Sequence, residues 1–402
     1  MHNHEAPLPP PIRYSPPVDD TSTMKPPADV FQIRTLNLKD EDISSLTPHI
    51  YNRPIHTVSG TEVPAKPTSE ANRQLEDFSR LQRDSKRSQR REAKRLQQQR
   101  KFRAKLEAEK AKNLKIWSSQ IIPHLPSIIT TRKAKKLFSK GIPSCYRKHI
   151  WPLVVGNPLG ITKSLFNALI EKHHRKANSD HSFVANEMSM KLIDTDIPRT
   201  FPTLSFFSEG PWRTSLYNCL VAFVEYRPDI GYVQGMSFIQ SVLLLFLEPH
   251  SAFTCFSNII VNNPILSCFY TFNQSRIDIY YKLFDHFLLQ YLPNIATYFK
   301  QIDLHCSLYL HDWFNTVFSR SLSLDCVARI WDNWFLLGDV TLMRTSLAIL
   351  SLIKVELVLD FEHALKAIKN VNEIEEHELF SAFEIIDITP DMYSSVLGKF
   401  SN

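Results

Sequence analysis

Helical periodicity and the placement of proline constrain the fold of this 402-residue chain more than any other feature. From Ile116 onward prolines occur singly, between segments in which apolar residues recur at helical spacing. One such helix stripe comprises Leu324, Val327, Trp331 and Trp334. Further buried helices are predicted at 237–248, 279–292 and 346–359. Alternating strand patterns and Asn-Gly or Asp-Gly hairpin turns are absent, so the sequence predicts an all-α body.

Charge and proline divide the chain into three parts. Residues 1–72 contain twelve of the 25 prolines and carry a net charge of −3, a composition typical of a disordered linker. Residues 73–115 contain sixteen basic and six acidic residues without proline or glycine, which predicts a mostly solvated basic helix. A coiled coil is the alternative, although Ser85, Ser88 and Arg91 interrupt its heptad seam. The predicted boundaries are 1–72, a basic helical segment at 73–117, and a globular domain at 118–402.

Several classes of protein are excluded by composition and motif. The body after residue 115 is nearly neutral, which argues against a nucleic-acid-binding domain. The six cysteines form no CxxC pair, as expected for reduced core thiols in a cytosolic protein. No secretory signal opens the chain, and no apolar run approaches the roughly 18 residues of a membrane span.

Histidine-containing segments give no support for a metal site or a hydrolase. His173, His174 and His181 lie in a polar stretch without cysteine or a carboxylate cluster, so no metal is expected there. His305, His311 and Asp312 flank Trp313 without an elbow serine, which argues against a catalytic triad. The P-loop pattern is absent as well, so the chain is not expected to bind nucleotide itself.

Three segments carry residues suited to chemistry: 141–151, 193–202 and 227–236. In the second, Pro198 and Pro202 are expected to keep Ile197 and Phe201 out of the helical region. Arg199 would then sit on a stiff turn and lose little entropy on engaging an anion. An isolated loop arginine is more often a solvated charge or an ion pair, and that alternative stays open.

The third segment places Gln234 between two glycines before a very apolar helix. Gly235 permits a positive φ or a close backbone approach. Gln234 has two interpretations, as a helix-capping partner or as an amide that orients a water molecule with its donor and its acceptor. In the first segment Arg147 and Trp151 share a helix face, where Trp151 is expected to be core and Arg147 to pack its stem beside it.

Together with Arg329–Asp332, these segments resemble the TBC-domain family of GTPase-activating proteins for Rab GTPases. The family's GIP…R…W, IxxDxxRTFP, YxQGM and RIWD signatures stand here in order, and the resemblance covers roughly residues 135–400. One departure is Ser321-Leu322-Ser323, where family members usually carry Ser-Leu-Pro. The missing proline is expected to loosen the start of the RIWD helix without touching a catalytic position.

The resemblance implies a two-lobed helical domain that inserts Arg199 and Gln234 into the active site of the GTPase. Arg199 would stabilise charge on the transferring phosphoryl group, and Gln234 would orient the attacking water. Asp196 is expected to brace Arg199, Tyr232 to pack the Gln234 loop, and Arg329 to pair with Asp325 or Asp332 along its helix. The supporting or Rab-binding residues are Asp196, Thr200, Tyr232, Gly235, Arg147, Trp151, Arg329, Trp331 and Asp332.

The implied partner is a GTP-bound Rab GTPase, which carries the GTP and Mg²⁺, so this chain is expected to need no cofactor of its own. It would activate the partner's GTPase, without turnover of a substrate of its own, and regulate vesicle trafficking. A non-catalytic Rab-binding or scaffold module is the alternative, and retention of both Arg199 and Gln234 argues against it. The expected location is cytoplasmic and peripheral on Golgi or endosomal membranes.

The basic segment 73–115 suggests a second contact, with an anionic membrane surface. A solvated helix without a ligand is an equally good interpretation. Nucleic acid is not expected, because Phe78 and Phe102 are isolated and form no platform on which bases would stack.

Overall fold

The computed structural model describes residues 68–125, 131, 137–177, 184–202, 204–207, 209–353 and 360–401. The chain divides into two compact units, Met1–Arg90 and Arg91–Asn402. All but the last few residues of the predicted disordered region 1–72 lie outside the described residues, and residues 68–72 are helical. Every regular element in the described ranges is a helix, which confirms the all-α prediction.

The longest helix, α1, begins at Thr68 and ends at Ile116. The helices that follow are α2 (Ser144–Val155), α3 (Lys163–Ala177), α4 (Val184–Asp196), α5 (Pro211–Tyr226), α6 (Met236–Leu244), α7 (Pro249–Asn262), α8 (Pro264–Tyr270), α9 (Gln274–Tyr291), α10 (Pro293–Gln301), α11 (Ser307–Asn315), α12 (Leu324–Leu337), α13 (Val340–Leu352), α14 (Phe361–Lys369), α15 (Glu376–Ile385) and α16 (Pro390–Ser401). A π-helical turn at Trp117–Ile121 follows α1, and short 3₁₀ turns occupy Ile122–His124, Ile197–Arg199 and Ser205–Phe207.

Proline and capping residues set many of these helix starts. A proline is the first residue of α5, α7, α8, α10 and α16, where its missing N–H costs no intrahelical bond. The Asn263 side chain accepts a hydrogen bond from the Leu266 amide (2.8 Å) and so caps α8. Ser323 caps α12 by accepting from the Cys326 amide at 3.5 Å. That serine therefore supplies a start signal where the resemblance leads one to expect a proline.

The predicted buried helices exist, with shifted ends. The Leu324–Trp334 stripe lies on α12, and the segment 237–248 corresponds to the shorter α6. Helix α9 begins earlier than the predicted 279 because Asn273 caps it, its side chain accepting from the Arg276 amide. The segment 346–359 corresponds to the end of α13, and its residues 354–359 lie outside the described residues.

The core of the second unit forms where α5 packs on α3, α6 and α7, and where α12 contacts α2 and α13. An aromatic cluster closes the α2–α12 contact. The fully buried rings of Trp151 and Trp331 have centroids 5.6 Å apart, and Phe246 lies 4.7 Å from Trp151. Both tryptophans are thus core residues, as the sequence predicted.

Helix α1 has the predicted solvated, basic character, since nearly all of its described side chains are exposed. Near its end Phe102 lies 4.7 Å from the His377 ring, and Lys110 Nζ is 3.6 Å from a Glu376 oxygen, so this part of α1 docks on the start of α15. All six cysteines are free thiols, and five of them are buried, as expected for reduced core cysteines.

No single helix among the described residues has the length and apolarity needed to cross a membrane. Helices α7 and α8 reach that threshold only as a pair, across an 85° bend.

Candidate functional site

Arg199 ends a 3₁₀ turn formed by Ile197–Arg199, directly after α4. The expectation that Pro198 keeps Ile197 out of the helical region is wrong. Pro198 stands at the start of a tight helical turn, where a proline is tolerated because no N–H is needed there. Phe201 does lie outside the right-handed helical region, as expected, although its φ of 49° is left-handed. Its ring packs against Phe238, with ring centroids 5.4 Å apart.

The carboxylate of Asp196 braces Arg199, as the sequence predicted. Arg199 Nε donates to Asp196 Oδ1 (2.7 Å), and its Nη2 donates to the same oxygen. Asp196 is 1% exposed, whereas half of the Arg199 side chain is exposed. The guanidinium is therefore oriented by a buried carboxylate while part of it remains accessible.

Tyr232 completes this bracing. Its hydroxyl donates to the second oxygen of Asp196 (2.6 Å), so Tyr232 supports the carboxylate and does more than pack the Gln234 loop. Burial, and then the hydrogen bond to Asp196, raise the pKa of Tyr232, so the phenol keeps the proton that it donates. The Tyr232 amide donates to Ser189 Oγ on α4 (3.1 Å), which fixes the start of the loop.

A second polar contact joins the Arg199 turn to α6. The buried Thr200 hydroxyl donates to the Asp196 carbonyl and lies 2.8 Å from Ser237 Oγ. Ser237 is fully buried in the first turn of α6, directly after the Gln234 loop. Thus Asp196–Tyr232 and Thr200–Ser237 bind the two loops to each other.

The Gln234 side chain is exposed. The backbone of Gln234 is held by Asn315, the last residue of α11. Asn315 Nδ2 donates to the Gln234 carbonyl (2.8 Å). Gly235 has φ of 104°, and a Cβ built on it would lie 3.0 Å from Asn315 Nδ2. This position therefore requires glycine both for its backbone angle and for the approach of Asn315.

Asn315, Ser189 and Ser237 contribute to the site although the sequence did not indicate them. Asn315 offered a weak signal, because it is a polar residue directly after the apolar pair Trp313 and Phe314. Ser189 and Ser237 offered none, since serine is common at any helix position.

The GIP…R…W and RIWD segments meet in a buried polar cluster. Asp332 accepts hydrogen bonds from Arg147 Nη2 (2.9 Å), Trp151 Nε1 (2.8 Å) and the Ile142 amide (2.8 Å). Arg147 is 9% exposed and Asp332 is 1% exposed. Trp331 lies beside this cluster and donates its Nε1 proton to the Val317 carbonyl at 3.2 Å. These side chains are buried inside the domain, so they support the fold and present no surface to a partner.

The predicted pairing of Arg329 with Asp325 or Asp332 along α12 is wrong. Arg329 Nη1 instead donates to Glu376 on α15 (3.2 Å), and its guanidinium lies 3.9 Å from the centroid of the Phe380 ring. Asp332 already accepts hydrogen bonds from buried donors, and Asp325 is exposed to solvent. Arg329 therefore pairs with Glu376 on another helix. Arg329 consequently ties α12 to α15.

Comparisons with known proteins identify the same family as the sequence motifs. A family model for the Rab-GTPase-TBC domain matches residues 144–358, more than half of the chain and inside the predicted domain at 118–402. The chain belongs to this family. Arg147, Arg199, Gln234 and Arg329 all lie within the matched residues.

Similar proteins support the assignment. TBC1 domain family member 14 of Mus musculus is 33% identical over 380 residues, which cover 90% of this chain and 54% of that protein. TBC1 domain family member 12 of Rattus norvegicus is 34% identical over 369 residues, covering 88% and 52%. The chain therefore spans about half the length of these relatives. A Chlamydomonas flagellar RabGAP TBC domain has the same fold, with a TM-score of 0.57 and 21% identity over 69% of this chain and 93% of that one.

Proposed function

We propose that this TBC domain accelerates GTP hydrolysis by a GTP-bound Rab GTPase, with Arg199 and Gln234 supplied in trans. One observation carries the proposal: two exposed side chains of the required chemistry stand on two loops that buried hydrogen bonds join to each other. Loops fixed in this way present both groups together, at little entropic cost on forming the complex.

The charge of Arg199 suits the transition state of phosphoryl transfer. A guanidinium has five N–H donors, and Asp196 takes hydrogen bonds from only Nε and Nη2. The other donors are available for equatorial phosphoryl oxygens, on which negative charge develops. An arginine finger of this kind contributes about 10³–10⁵ in rate, or roughly 4–7 kcal/mol.

Gln234 suits the second task, orienting the attacking water. Its amide has a donor and an acceptor, and the structure gives its side chain no hydrogen-bond partner among the described residues. Its main chain, by contrast, is fixed through Asn315. A held backbone with an uncommitted amide is what water positioning requires.

The test is single-turnover GTP hydrolysis on a panel of purified Rab proteins. Arg199→Ala is expected to lose most of the acceleration, and Arg199→Lys to recover little of it, because lysine keeps the charge without the planar fork. Gln234→Ala is expected to slow hydrolysis as well. Arg276→Ala and Gln290→Ala remove exposed residues of the same types from α9 and are expected to match wild type. Mutants at 199 and 234 that hydrolyse as wild type would refute the proposal.

A Rab-binding module without catalysis is the second candidate, and the ion pair between Arg199 and Asp196 favours it, since the buried carboxylate already engages the guanidinium. Titration of Rab loaded with a non-hydrolysable GTP analogue, followed calorimetrically, separates the two. Tight binding of a Rab whose hydrolysis is not accelerated assigns the binding role; acceleration that needs Arg199 assigns catalysis.

We also propose that α1 brings the domain to anionic endomembranes in the cytoplasm. The supporting observation is that the basic side chains of α1 are exposed along most of its length. Flotation with liposomes is expected to require acidic lipid and to weaken as salt rises. A variant with Lys94, Arg95 and Lys101 changed to Gln is expected to float less. Equal flotation at low and high salt would contradict an electrostatic contact.

A further inference from the structure

A cavity of about 570 Å³ lies between α9, α10 and the start of α11, in a part of the domain that the Arg199 and Gln234 loops do not use. Its wall is more apolar than polar. The lining includes Asp285, Leu288, Phe299, Leu304, Cys306 and Tyr309. Nothing in the proposed GTPase chemistry calls for this cavity.

Three of the lining side chains have metal-ligand chemistry and lie close together. Asp285 comes from α9, whereas His305 and Cys306 lie just before α11. One ligand atom from each of the three lies within 4.8 Å of the others. The chain reaches this arrangement through a tight turn after α10, in which Asp303 has φ of 53° and the Leu304 amide donates to the Phe299 carbonyl (2.8 Å).

Tyr309 lies beside this cluster, one turn after Cys306, and lines the same cavity. It is 2% exposed, and its buried hydroxyl has no hydrogen-bond partner among the described residues. An unpaired buried hydroxyl costs about 1–3 kcal/mol.

We propose that Asp285, His305 and Cys306 bind Zn²⁺, with the fourth coordination position open to the cavity. Carboxylate, imidazole and thiolate are the ligands that zinc accepts together, whereas Mg²⁺ and Ca²⁺ take oxygen ligands. Three protein ligands with one open position is the arrangement of zinc sites that also hold a water molecule. As the Zn–S bond forms, the Cys306 thiol releases its proton to solvent.

The distances fit after a small adjustment. Zinc bonds of about 2.0–2.3 Å at tetrahedral angles separate ligand atoms by roughly 3.4–3.6 Å. Ligand atoms within 4.8 Å must therefore close by at most about 1.4 Å. Asp285 and His305 are exposed, so rotation of their side chains accommodates this change while the buried Cys306 stays in place. His305 Nδ1 lies 2.7 Å from Ser307 Oγ, a contact that orients the ring.

Titration of the full chain with Co²⁺ tests the site, because thiolate-bound cobalt absorbs in the near ultraviolet and tetrahedral cobalt absorbs strongly in the visible. The background is Cys145→Ser, which removes the exposed cysteine from α2. We expect one Co²⁺ per chain, displaced by one Zn²⁺. Cys306→Ser is expected to abolish the thiolate band. Asp285→Asn and His305→Gln are expected to weaken binding by more than about tenfold, the least that loss of even a supporting partner costs.

Failure to see the thiolate band in the Cys145→Ser protein would overturn the proposal. Equal affinity in the Asp285→Asn and His305→Gln variants would also overturn it, because Cys306 would then bind adventitiously. Those two variants change exposed residues and are expected to fold. They therefore test the zinc site even if the Cys306→Ser protein does not fold. The readout is independent of GTP hydrolysis.

Discussion

Asn315 holds the loop that carries Gln234, so Asn315→Ala is expected to slow GTP hydrolysis without touching either catalytic side chain. Its Nδ2 donates to the Gln234 carbonyl at 2.8 Å, and no other described group donates to that oxygen. A hydrogen bond of this kind is worth about 0.5–1.5 kcal/mol. If that energy positions Gln234 in the transition state, its loss slows hydrolysis by about two- to twelvefold.

The assay is a double-mutant cycle in single-turnover hydrolysis, with Asn315→Ala, Gln234→Ala and the double variant. If Asn315 acts only through Gln234, its substitution costs nothing further once Gln234 is gone, and the coupling energy equals the cost of the single change. Asn333→Ala is the matched control. Asn333 is also buried, donates from Nδ2 to a backbone carbonyl at 2.8 Å and likewise has an unpaired Oδ1 among the described residues.

Additive effects of Asn315→Ala and Gln234→Ala would refute the positioning role, as would an equal loss of activity in Asn333→Ala, which would point to general destabilisation. A Gln234→Ala variant that hydrolyses as wild type has another meaning. In that case the catalytic proposal for Gln234 fails, and the Asn315 contact is structural.

Three further predictions concern stability in urea unfolding. Asp332→Ala is expected to lose about 3–5 kcal/mol because it leaves Arg147 buried without its partner, whereas the exposed Asp325→Ala should lose less than about 1 kcal/mol; similar losses would contradict the burial argument. Gly160→Ala and Gly235→Ala share a positive φ worth about 1–2 kcal/mol, but only Gly235 has atoms within 4 Å of the added Cβ, so Gly235→Ala should cost more. Burial raises the pKa of Asp339, so this carboxyl holds its proton more tightly in the folded protein than in the unfolded chain. Its contribution to the free energy of unfolding should therefore fall as pH rises above about 3.9. Asp339→Asn should remove this pH dependence of stability, and a variant with the wild-type pH dependence would contradict the assignment to Asp339.

Much of the fold follows from local rules that sequence displays directly. A proline opens α5, α7, α8, α10 and α16, and asparagine or serine caps α9 and α12, so helical structure and helix boundaries near proline were predictable. The ends of the helices were less predictable. Helix α9 starts several residues earlier than apolar periodicity indicates because its first turn is polar and its cap, Asn273, precedes the apolar stripe.

The site was predictable only in part, for a physical reason. Arg199 and its brace Asp196 are three residues apart, so a helical turn brings them together without help from the rest of the chain. Asn315 lies far from Gln234 in sequence, and only the tertiary fold, which brings the end of α11 beside the Gln234 loop, creates their contact. The same limit explains the wrong partner predicted for Arg329. It pairs with Glu376 on α15 and not with a carboxylate on its own helix, α12.

The two buried aspartates show why only some of the motif residues face a partner. Asp196 and Asp332 are equally buried, and each needs donors to offset the loss of water. Asp332 takes all of its donors from inside the domain, so its hydrogen bonds hold α2 against α12. Asp196 takes one donor from buried Tyr232 and the others from half-exposed Arg199. Drawing Arg199 away would leave a desolvated carboxylate with a single donor, which is costly. If Arg199 acts on the GTPase as we propose, an incoming phosphate must meet the guanidinium where Asp196 holds it, and the remaining N–H donors decide the geometry of that encounter.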